Sequence, residues 1–243
     1  MLPSTARDQS HVSVIAWRLA VSAITLLYWL TSVQQAHATA AMIEAGRAIV
    51  MGNTAVSACA DCHGVLGQGD REKNHPRLAG QSRFYLRKQL EDFAMETRPS
   101  EDMQPIAEAL TAEQREAVAA YYASVPKAPY PPQPQGDPLL LQRGGVLSAV
   151  GVPERGIRAC ALCHADAGAG IPPSFPYLAG QFANYTARQL RLWKQGLRRN
   201  DPLQVMANIA RLLSDEEIRG LALYFARVRL APEAINDLTP AAP

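Results

Sequence analysis

The sequence predicts an all-α fold, on the strength of its composition and its hydrophobic spacing. Aromatic residues make up 7% of the 243 residues, while alanine and leucine abound, and this balance favours helices over strands. Apolar residues recur three or four positions apart, as in Leu86, Leu90 and Phe93, which is the spacing of a helix with one buried face. Because no segment has a convincing strand pattern, we expect helices alone.

Composition also narrows the class of protein. Hydrophobic residues account for 48% of the chain and charged residues for 19%, and the formal net charge is +2. Such a chain is globular rather than disordered, collagen-like or a multi-span membrane protein. Basic and acidic residues are evenly mixed, so a nucleic-acid partner is not expected.

Residues 1–38 have the layout of a secretory signal peptide. Arg7 and Arg18 precede an uncharged run from Leu19 to Val33, and small residues that permit cleavage after residue 38 or 40 follow it. The alternative is an uncleaved membrane anchor, but the run of 15 residues is shorter than the ~20 that a spanning helix needs. We therefore expect cleavage and export to an oxidising periplasm.

The rest of the chain repeats itself after about 100 residues. Residues 59–63 read Cys-Ala-Asp-Cys-His, and residues 160–164 read Cys-Ala-Leu-Cys-His. The string Pro-x-Leu-Ala-Gly-Gln also occurs twice, at 76–81 and at 176–181. Both copies are therefore expected to share one fold.

A proline-rich stretch separates the two copies. Six prolines fall between residues 126 and 138, and such a segment runs as a stiff, extended spacer rather than as a helix. We place the first domain at 39–125, the linker at 126–138, the second domain at 139–231 and a C-terminal tail at 232–243.

Each domain is predicted to contain three or four helices. The last helix is expected to open with a capping box, from Thr111 to Gln114 in the first copy and from Ser214 to Glu217 in the second. A domain of this size builds only a small core. Something other than side chains is therefore expected to fill it.

All four cysteines lie in the two Cys-x-x-Cys-His strings, which are the attachment signature of a c-type haem. Residues i and i+3 project from one face of a helical turn, so both thiols can bond to the vinyl-derived carbons of one porphyrin. The outer N–H of each motif histidine needs an acceptor, for which a backbone carbonyl near Pro76 or Pro176 is expected. The sequence predicts two covalent haem c groups, each with one histidine on its iron: Cys59, Cys62 and His63 in the first copy, and Cys160, Cys163 and His164 in the second.

Two other interpretations of the cysteines are weaker. A zinc site made from both pairs normally has ~15 to 20 residues between the pairs, and zinc does not explain a histidine after each pair. A thioredoxin-like dithiol needs a βαβ setting, which the helical pattern lacks.

The second axial ligand of each iron is inferred by elimination. Outside the leader and the two motifs His75 is the only histidine, so two bis-histidine haems are impossible. Met206 is the only methionine of the second copy and Met103 matches it in the first, so both are expected to bind iron. The alternative for both is that they fill gaps in the core. His75 competes for the first iron, but it aligns with Phe175 and is expected to be a loop residue.

Two repeated pairs have open roles. Arg98 and Arg198 match across the repeat, and either pair with haem propionates or are solvated on the surface. Tyr85 and Tyr185 either make a hydrogen bond in the pocket or pack a helix.

The mature chain resembles the dihaem cytochrome c4 family, which is built from two class I cytochrome c domains. The resemblance rests on the paired motifs, on the Pro-x-Leu-Ala-Gly-Gln strings, on Met-x-x-Ile-Ala at 103–107 and 206–210, and on the closing helices through 120–123 and 223–226. It implies two tandem all-α domains that face one another, each around one covalent haem with histidine and methionine ligands. The long proline-rich linker departs from the family pattern.

The chemistry fits an electron carrier better than an enzyme. Histidine and methionine together leave the iron no open position, so one-electron transfer is expected and no catalytic residue is required. The leading prediction is a periplasmic carrier between respiratory-chain components, with a cytochrome bc complex, a terminal oxidase or a periplasmic dehydrogenase as partner. Membrane contact is expected only through an uncleaved leader or a membrane-bound partner.

Two other functions stay open. One is the electron-accepting haem subunit of a periplasmic dehydrogenase complex of the flavocytochrome or quinoprotein type. The other is a dihaem peroxidase or thiosulfate-oxidising enzyme, which needs an open or differently ligated iron.

Charge is unevenly divided between the copies. Residues 39–125 hold 9 basic and 12 acidic side chains, and residues 139–243 hold 12 basic and 8 acidic ones. We hypothesise that the domains are not equivalent, one receiving electrons and the other passing them on. Five basic residues of the second copy either steer an acidic partner or form a solvated helix face: Arg188, Arg191, Lys194, Arg198 and Arg199.

Overall fold

The computed structural model describes residues 35, 37, 39–53, 57–125, 130 and 135–230. Within these residues the regular structure is helical, and the only β features are isolated bridges such as Asp70 with His75. This confirms the predicted all-α class. Nearly all of the predicted leader, most of the linker, and the tail lie outside the described residues. None of the helices that are described is long and apolar enough to cross a membrane.

In the described part of the chain, both copies build the same succession of five α-helices. In the first copy these are α1, which includes residues 43–50, α2 (Cys59–His63), α3 (Arg83–Ala94), α4 (Met103–Glu108) and α5 (Ala112–Ala123). In the second they are α6 (Pro138–Val150), α7 (Ala161–His164), α8 (Ala183–Lys194), α9 (Val205–Leu212) and α10 (Asp215–Arg227). The predicted three or four helices were too few, because α2 and α7 are too short to show a hydrophobic period.

The helix starts follow the sequence signals. Both capping boxes are present: Thr111 Oγ1 accepts from the Gln114 amide at 3.2 Å, and Ser214 Oγ accepts from the Glu217 amide at 3.1 Å. Helix α6 begins at Pro138, the last residue of the predicted linker, where the Asp137 carboxylate caps it. Proline is favoured at such a first position because its missing N–H costs nothing there.

In each copy the first helix crosses the last one at backbone contact. A Cβ atom placed on Gly46 would lie 2.0 Å from the carbonyl oxygen of Ala117 in α5. One placed on Gly144 would lie 2.0 Å from the carbonyl oxygen of Gly220 in α10. Only glycine fits at these two crossings. The two glycines therefore set how closely the first and the last helix of each copy pack.

We expect Gly144→Ala to lower the free energy of unfolding by about 2–4 kcal/mol, because the methyl group forces α6 and α10 apart. Gly145→Ala is the matched control, since its Cβ would lie 3.2 Å from the Tyr224 ring and alanine gains about 1 kcal/mol of helix propensity. Denaturant unfolding of the haem-loaded variants measures both. Equal losses would contradict the close crossing.

The core of the second copy lies between α6, α8, α9 and α10. Ile157, Ala210, Leu213, Ile218 and Phe225 are almost fully buried there. Met206 is partly buried and packs against this cluster. The core thus fixes α9, the helix that carries the predicted methionine ligand.

Candidate haem sites

The two motifs form short helical turns in which all four thiols are free. None of the four cysteines is in a disulfide, and Cys59, Cys160 and Cys163 are partly buried. Burial raises the pKa of the Cys160 thiol to about 11 and also raises the pKa of Cys59. Such thiols are not the activated thiolates of a thioredoxin-like site. Among the described residues, no three His, Cys, Asp or Glu side chains group together as metal ligands, as a zinc site requires.

The motif histidines are buried and held in one orientation. His63 and His164 are 7% and 6% exposed. Nδ1 of His63 lies 2.9 Å from the carbonyl oxygen of Pro76, and Nδ1 of His164 lies 2.9 Å from that of Pro176. This confirms the expected backbone acceptors.

These hydrogen bonds settle the tautomer of both rings. A carbonyl oxygen only accepts, so Nδ1 of each imidazole carries the proton and Nε2 keeps its lone pair. Burial lowers the pKa of both imidazoles, which favours the neutral ring. A neutral histidine with a free Nε2 is the form that binds iron.

His75 lies beside a motif histidine. The centroids of the His75 and His63 rings are 6.1 Å apart, and those of Phe175 and His164 are 6.2 Å apart. The structure therefore places His75 where the second copy has a phenylalanine, which cannot bind iron.

The two candidate methionines occupy matching helices. Met103 begins α4 and Met206 lies in the first turn of α9, and both are partly buried. Ala107 and Ala210, one turn further on, are completely buried and anchor these helices. By contrast, Met51 and Met95 are 50% and 62% exposed.

The residues present fit a covalent haem in each copy. Each motif brings two free thiols and a neutral imidazole together on one turn, and a thioether side chain begins a second helix. In addition, Nε1 of Trp193 is buried without a hydrogen-bond partner. This indole N–H is available to donate to a polar group of a bound molecule.

Arg98 and Arg198 are buried between the two copies and are 6% and 4% exposed. The surface interpretation of both arginines is therefore wrong. Arg98 donates to Oε1 of Gln89 at 2.8 Å and of Gln189 at 3.0 Å. Arg198 donates to the same two oxygens, at 2.9 Å and 2.7 Å. Two guanidinium groups thus bridge two glutamines, one from each copy.

The repeated tyrosines complete this network across the copies. Arg98 donates to the hydroxyl of Tyr185 at 2.6 Å, and Arg198 forms a hydrogen bond with Tyr85. Asn200 of the second copy donates to the Asp92 carboxylate of the first at 2.6 Å. Both tyrosines thus form hydrogen bonds between the copies, which is a third role beside the pocket hydrogen bond and the helix packing that were expected.

Gln81 and Gln181 have a role that was not predicted from the sequence. Gln81 Oε1 accepts from the Tyr177 amide at 3.1 Å, and its Nε2 donates to the carbonyl of the same residue. Gln181 makes the same two bonds with Arg77, at 3.0 Å and 2.9 Å. Each glutamine side chain therefore pairs with the backbone N–H and C=O of one residue of the other copy, as a neighbouring β-strand would. The signal was the identical position of both glutamines at the end of the repeated Pro-x-Leu-Ala-Gly-Gln string.

The five basic residues of the second copy do not form one exposed face. Arg198 is buried, Lys194 donates to the Leu213 carbonyl at 2.6 Å, and Arg191 lies 4.0 Å from the Asp215 carboxylate. Arg188 and Arg199 are exposed. The positive charge of these five residues is therefore not concentrated on one surface of the second copy.

Comparison with known proteins agrees with this geometry. Residues 43–126 match the family model for cytochrome c. The chain is 44% identical over 176 residues to a thiosulfate dehydrogenase electron acceptor of Stutzerimonas stutzeri, covering 72% of this chain and 81% of that protein.

Two solved structures have a similar fold. Reduced recombinant cytochrome c4 from Pseudomonas stutzeri matches with a TM-score of 0.67 and 34% identity, over 76% of this chain and 98% of that one. Thiosulfate dehydrogenase (TsdBA) from Marichromatium purpuratum matches with a TM-score of 0.71 and 36% identity, over 76% of this chain and 40% of that one.

The two matching five-helix units, their paired haem motifs and these similarities lead to one conclusion. The chain is an electron carrier with two class I cytochrome c domains and two covalently bound haem c groups, and it belongs to the dihaem cytochrome c4 family.

Proposed function

We propose that each haem is held by the residues of its own copy. Cys59 and Cys62 bind the first haem and Cys160 and Cys163 the second, through thioether bonds. His63 and Met103 would bind the iron in the first copy, and His164 and Met206 would bind it in the second.

The protein residues around each haem orient and enclose it. Haem c, when bound, supplies exchange of one electron between Fe(II) and Fe(III). The Pro76 and Pro176 carbonyls fix the imidazole planes and raise the basicity of Nε2. The methionine thioether favours Fe(II) and completes the coordination, so the protein acts as a carrier and not as an enzyme.

We also propose how the chain is processed and where it works. Residues 1–38 direct export and are removed, and the mature carrier works in the periplasm. Its domains span 39–125 and 139–231, joined by the linker at 126–138. It passes electrons towards the respiratory chain.

We infer that the electron donor is a thiosulfate dehydrogenase. The observation that carries this inference is the 44% identity with a protein described as the electron acceptor of that enzyme. The similarity to 40% of the length of a thiosulfate dehydrogenase chain supports it. In this role the protein is the accepting haem subunit or partner of a dehydrogenase, which agrees with the predicted alternative as well as with the leading prediction.

The proposal is tested by mixing the oxidised protein with thiosulfate and a catalytic amount of purified thiosulfate dehydrogenase. Coupling of two thiosulfate ions to tetrathionate releases two electrons, so one protein molecule should consume two thiosulfate ions. Reduction is followed by the visible absorbance of the haems. We expect complete reduction, faster by at least about tenfold than with a monohaem cytochrome c of similar potential.

Two controls make the outcome decisive. Without the dehydrogenase, thiosulfate should leave the protein oxidised, and reduction under that condition would point to the thiosulfate-oxidising alternative. Failure of reduction with an active dehydrogenase would exclude the proposed donor.

A further inference from the structure

The two copies differ at exposed positions next to the haem motifs and the candidate methionines. Thioether bonds are made at the periphery of a porphyrin, so the residues between the two cysteines lie at the rim of the site. The second of these is Asp61 in the first copy and Leu162 in the second, and Leu162 is 70% exposed. An acidic group on one rim is thus replaced by an exposed apolar one on the other.

The segment before each candidate methionine is likewise acidic in the first copy and apolar in the second. Met103 follows Glu101 and Asp102, which are both exposed. Before Met206 the second copy has three additional residues, Pro202 to Gln204, in which Leu203 is 91% exposed.

The backbone of this insertion is locally unfavourable. Leu203 and Gln204 have φ angles of 58° and 55°, and each such left-handed residue other than glycine costs roughly 1 kcal/mol. The insertion therefore presents a leucine to solvent at an energetic cost. A feature that is unfavourable by itself is typical of a surface that meets a partner.

The ends of the methionine helices continue this difference. Glu108 closes α4, whereas Arg211 and Leu212 close α9, and Leu212 is 43% exposed. Arg211 donates to the neutral Asn208 at 2.8 Å, so that bond does not cancel its charge. Arg158, two residues before the second motif, is also exposed.

Six exposed residues of the second copy are called the second rim: Leu162, Leu203, Val205, Leu212, Arg158 and Arg211. Four acidic residues of the first copy are called the first rim: Asp61, Glu101, Asp102 and Glu108. The second rim is apolar with two positive charges, and the first rim has four negative ones. Asp166 after the second motif and Asp201 before Pro202 offset the two arginines, so this surface is close to neutral where the first rim is acidic.

We propose that the second rim is the docking surface for the electron-donating dehydrogenase, whose own surface places carboxylates around an apolar centre. This rests on the proposed function. Apolar contact at Leu203 excludes water between the two redox centres, and the arginines steer and orient the complex. The first rim, being acidic, repels the same partner and is left for the next carrier.

The test compares four single variants of the haem-loaded protein. Leu203→Ser and Arg211→Glu alter the second rim. Glu108→Lys alters the matching position of the first rim, and Val146→Ser alters an exposed residue of α6 that is 57% exposed. The dehydrogenase and thiosulfate reduce each variant at several ionic strengths, and surface plasmon resonance measures binding of each to the immobilised dehydrogenase.

We expect both second-rim variants to bind, and to be reduced, about tenfold more weakly than the unaltered protein. Arg211→Glu should also flatten the salt dependence, while the other two variants change the rate by less than about twofold. Unchanged kinetics in Leu203→Ser and Arg211→Glu, or a loss confined to Glu108→Lys, would overturn the assignment.

A second probe separates this proposal from the proposed function. Hexacyanoferrate(III), a small anion, oxidises the reduced protein without any protein partner. Arg211→Glu should slow that reaction and Glu108→Lys should not slow it. If the unaltered protein is not reduced by the dehydrogenase, the proposed donor is wrong, and a slower reaction of Arg211→Glu with the anion would still show that redox partners approach the second rim.

Discussion

Replacement of Met206 by alanine is expected to remove half of the near-infrared absorbance that arises from methionine-to-iron charge transfer. Each of the two irons contributes one such band when its axial ligand is methionine, and Met206 is the only methionine in the described part of the second copy. The variant should also bind carbon monoxide at one reduced haem per molecule. Because methionine favours Fe(II), the potential of that haem should fall.

Met103→Ala should have the same effect on the other haem. Met95→Ala is its matched control, because Met95 is 62% exposed and lies at the end of α3. If the unaltered protein shows this absorbance for one haem only, Met103→Ala leaves it unchanged and His75→Ala opens the first reduced haem to carbon monoxide, the first iron has a histidine in place of the predicted methionine.

Replacement of Arg198 by alanine is expected to destabilise the protein by about 2–4 kcal/mol, since charged, buried hydrogen bonds are lost. Arg198 donates to Gln89, Gln189 and Asn200 and packs 3.8 Å from the centre of the Trp193 ring. Removal of its guanidinium leaves the Asn200 side-chain oxygen without this donor, and Arg98 alone of the two arginines then donates to the two glutamine oxygens.

Arg199→Ala is the control for this prediction, because its exposed side chain donates to a backbone carbonyl three residues away. It should shift the free energy of unfolding by less than about 0.5 kcal/mol. Denaturant unfolding at fixed haem content measures both variants, and the absorbance bands of the two haems report whether the sites stay intact. Equal stabilities would contradict a network that joins the copies.

The chemistry of the haem sites was easier to predict from the sequence than the contacts between the two copies. Cysteine spacing, one histidine per motif and internal repetition are local patterns, and so are the capping boxes at Thr111 and Ser214. The carbonyl partners of His63 and His164 followed from the same repetition. Each of these depends on residues close in the chain or at matching positions.

The interface between the copies could not be derived in this way. Arg98 bonds with Tyr185 over 87 positions and Gln81 with Tyr177 over 96, and no local pattern specifies such pairs. Charge counting likewise placed Arg198 on a surface from which it is absent. A buried arginine and a solvated one look the same in a sequence until the acceptors around them are known.

The hydrogen bonds that each copy makes with the other limit which changes of sequence this protein tolerates. Gln81 completes the backbone of the second copy, Gln181 completes that of the first, and the guanidinium groups are shared. A protein made from one half alone would expose to solvent the polar groups that are paired with the other half in the full chain. We therefore expect the halves to persist through evolution as an inseparable pair, with exchange of one half tolerated only when its counterpart brings the matching glutamine and arginine.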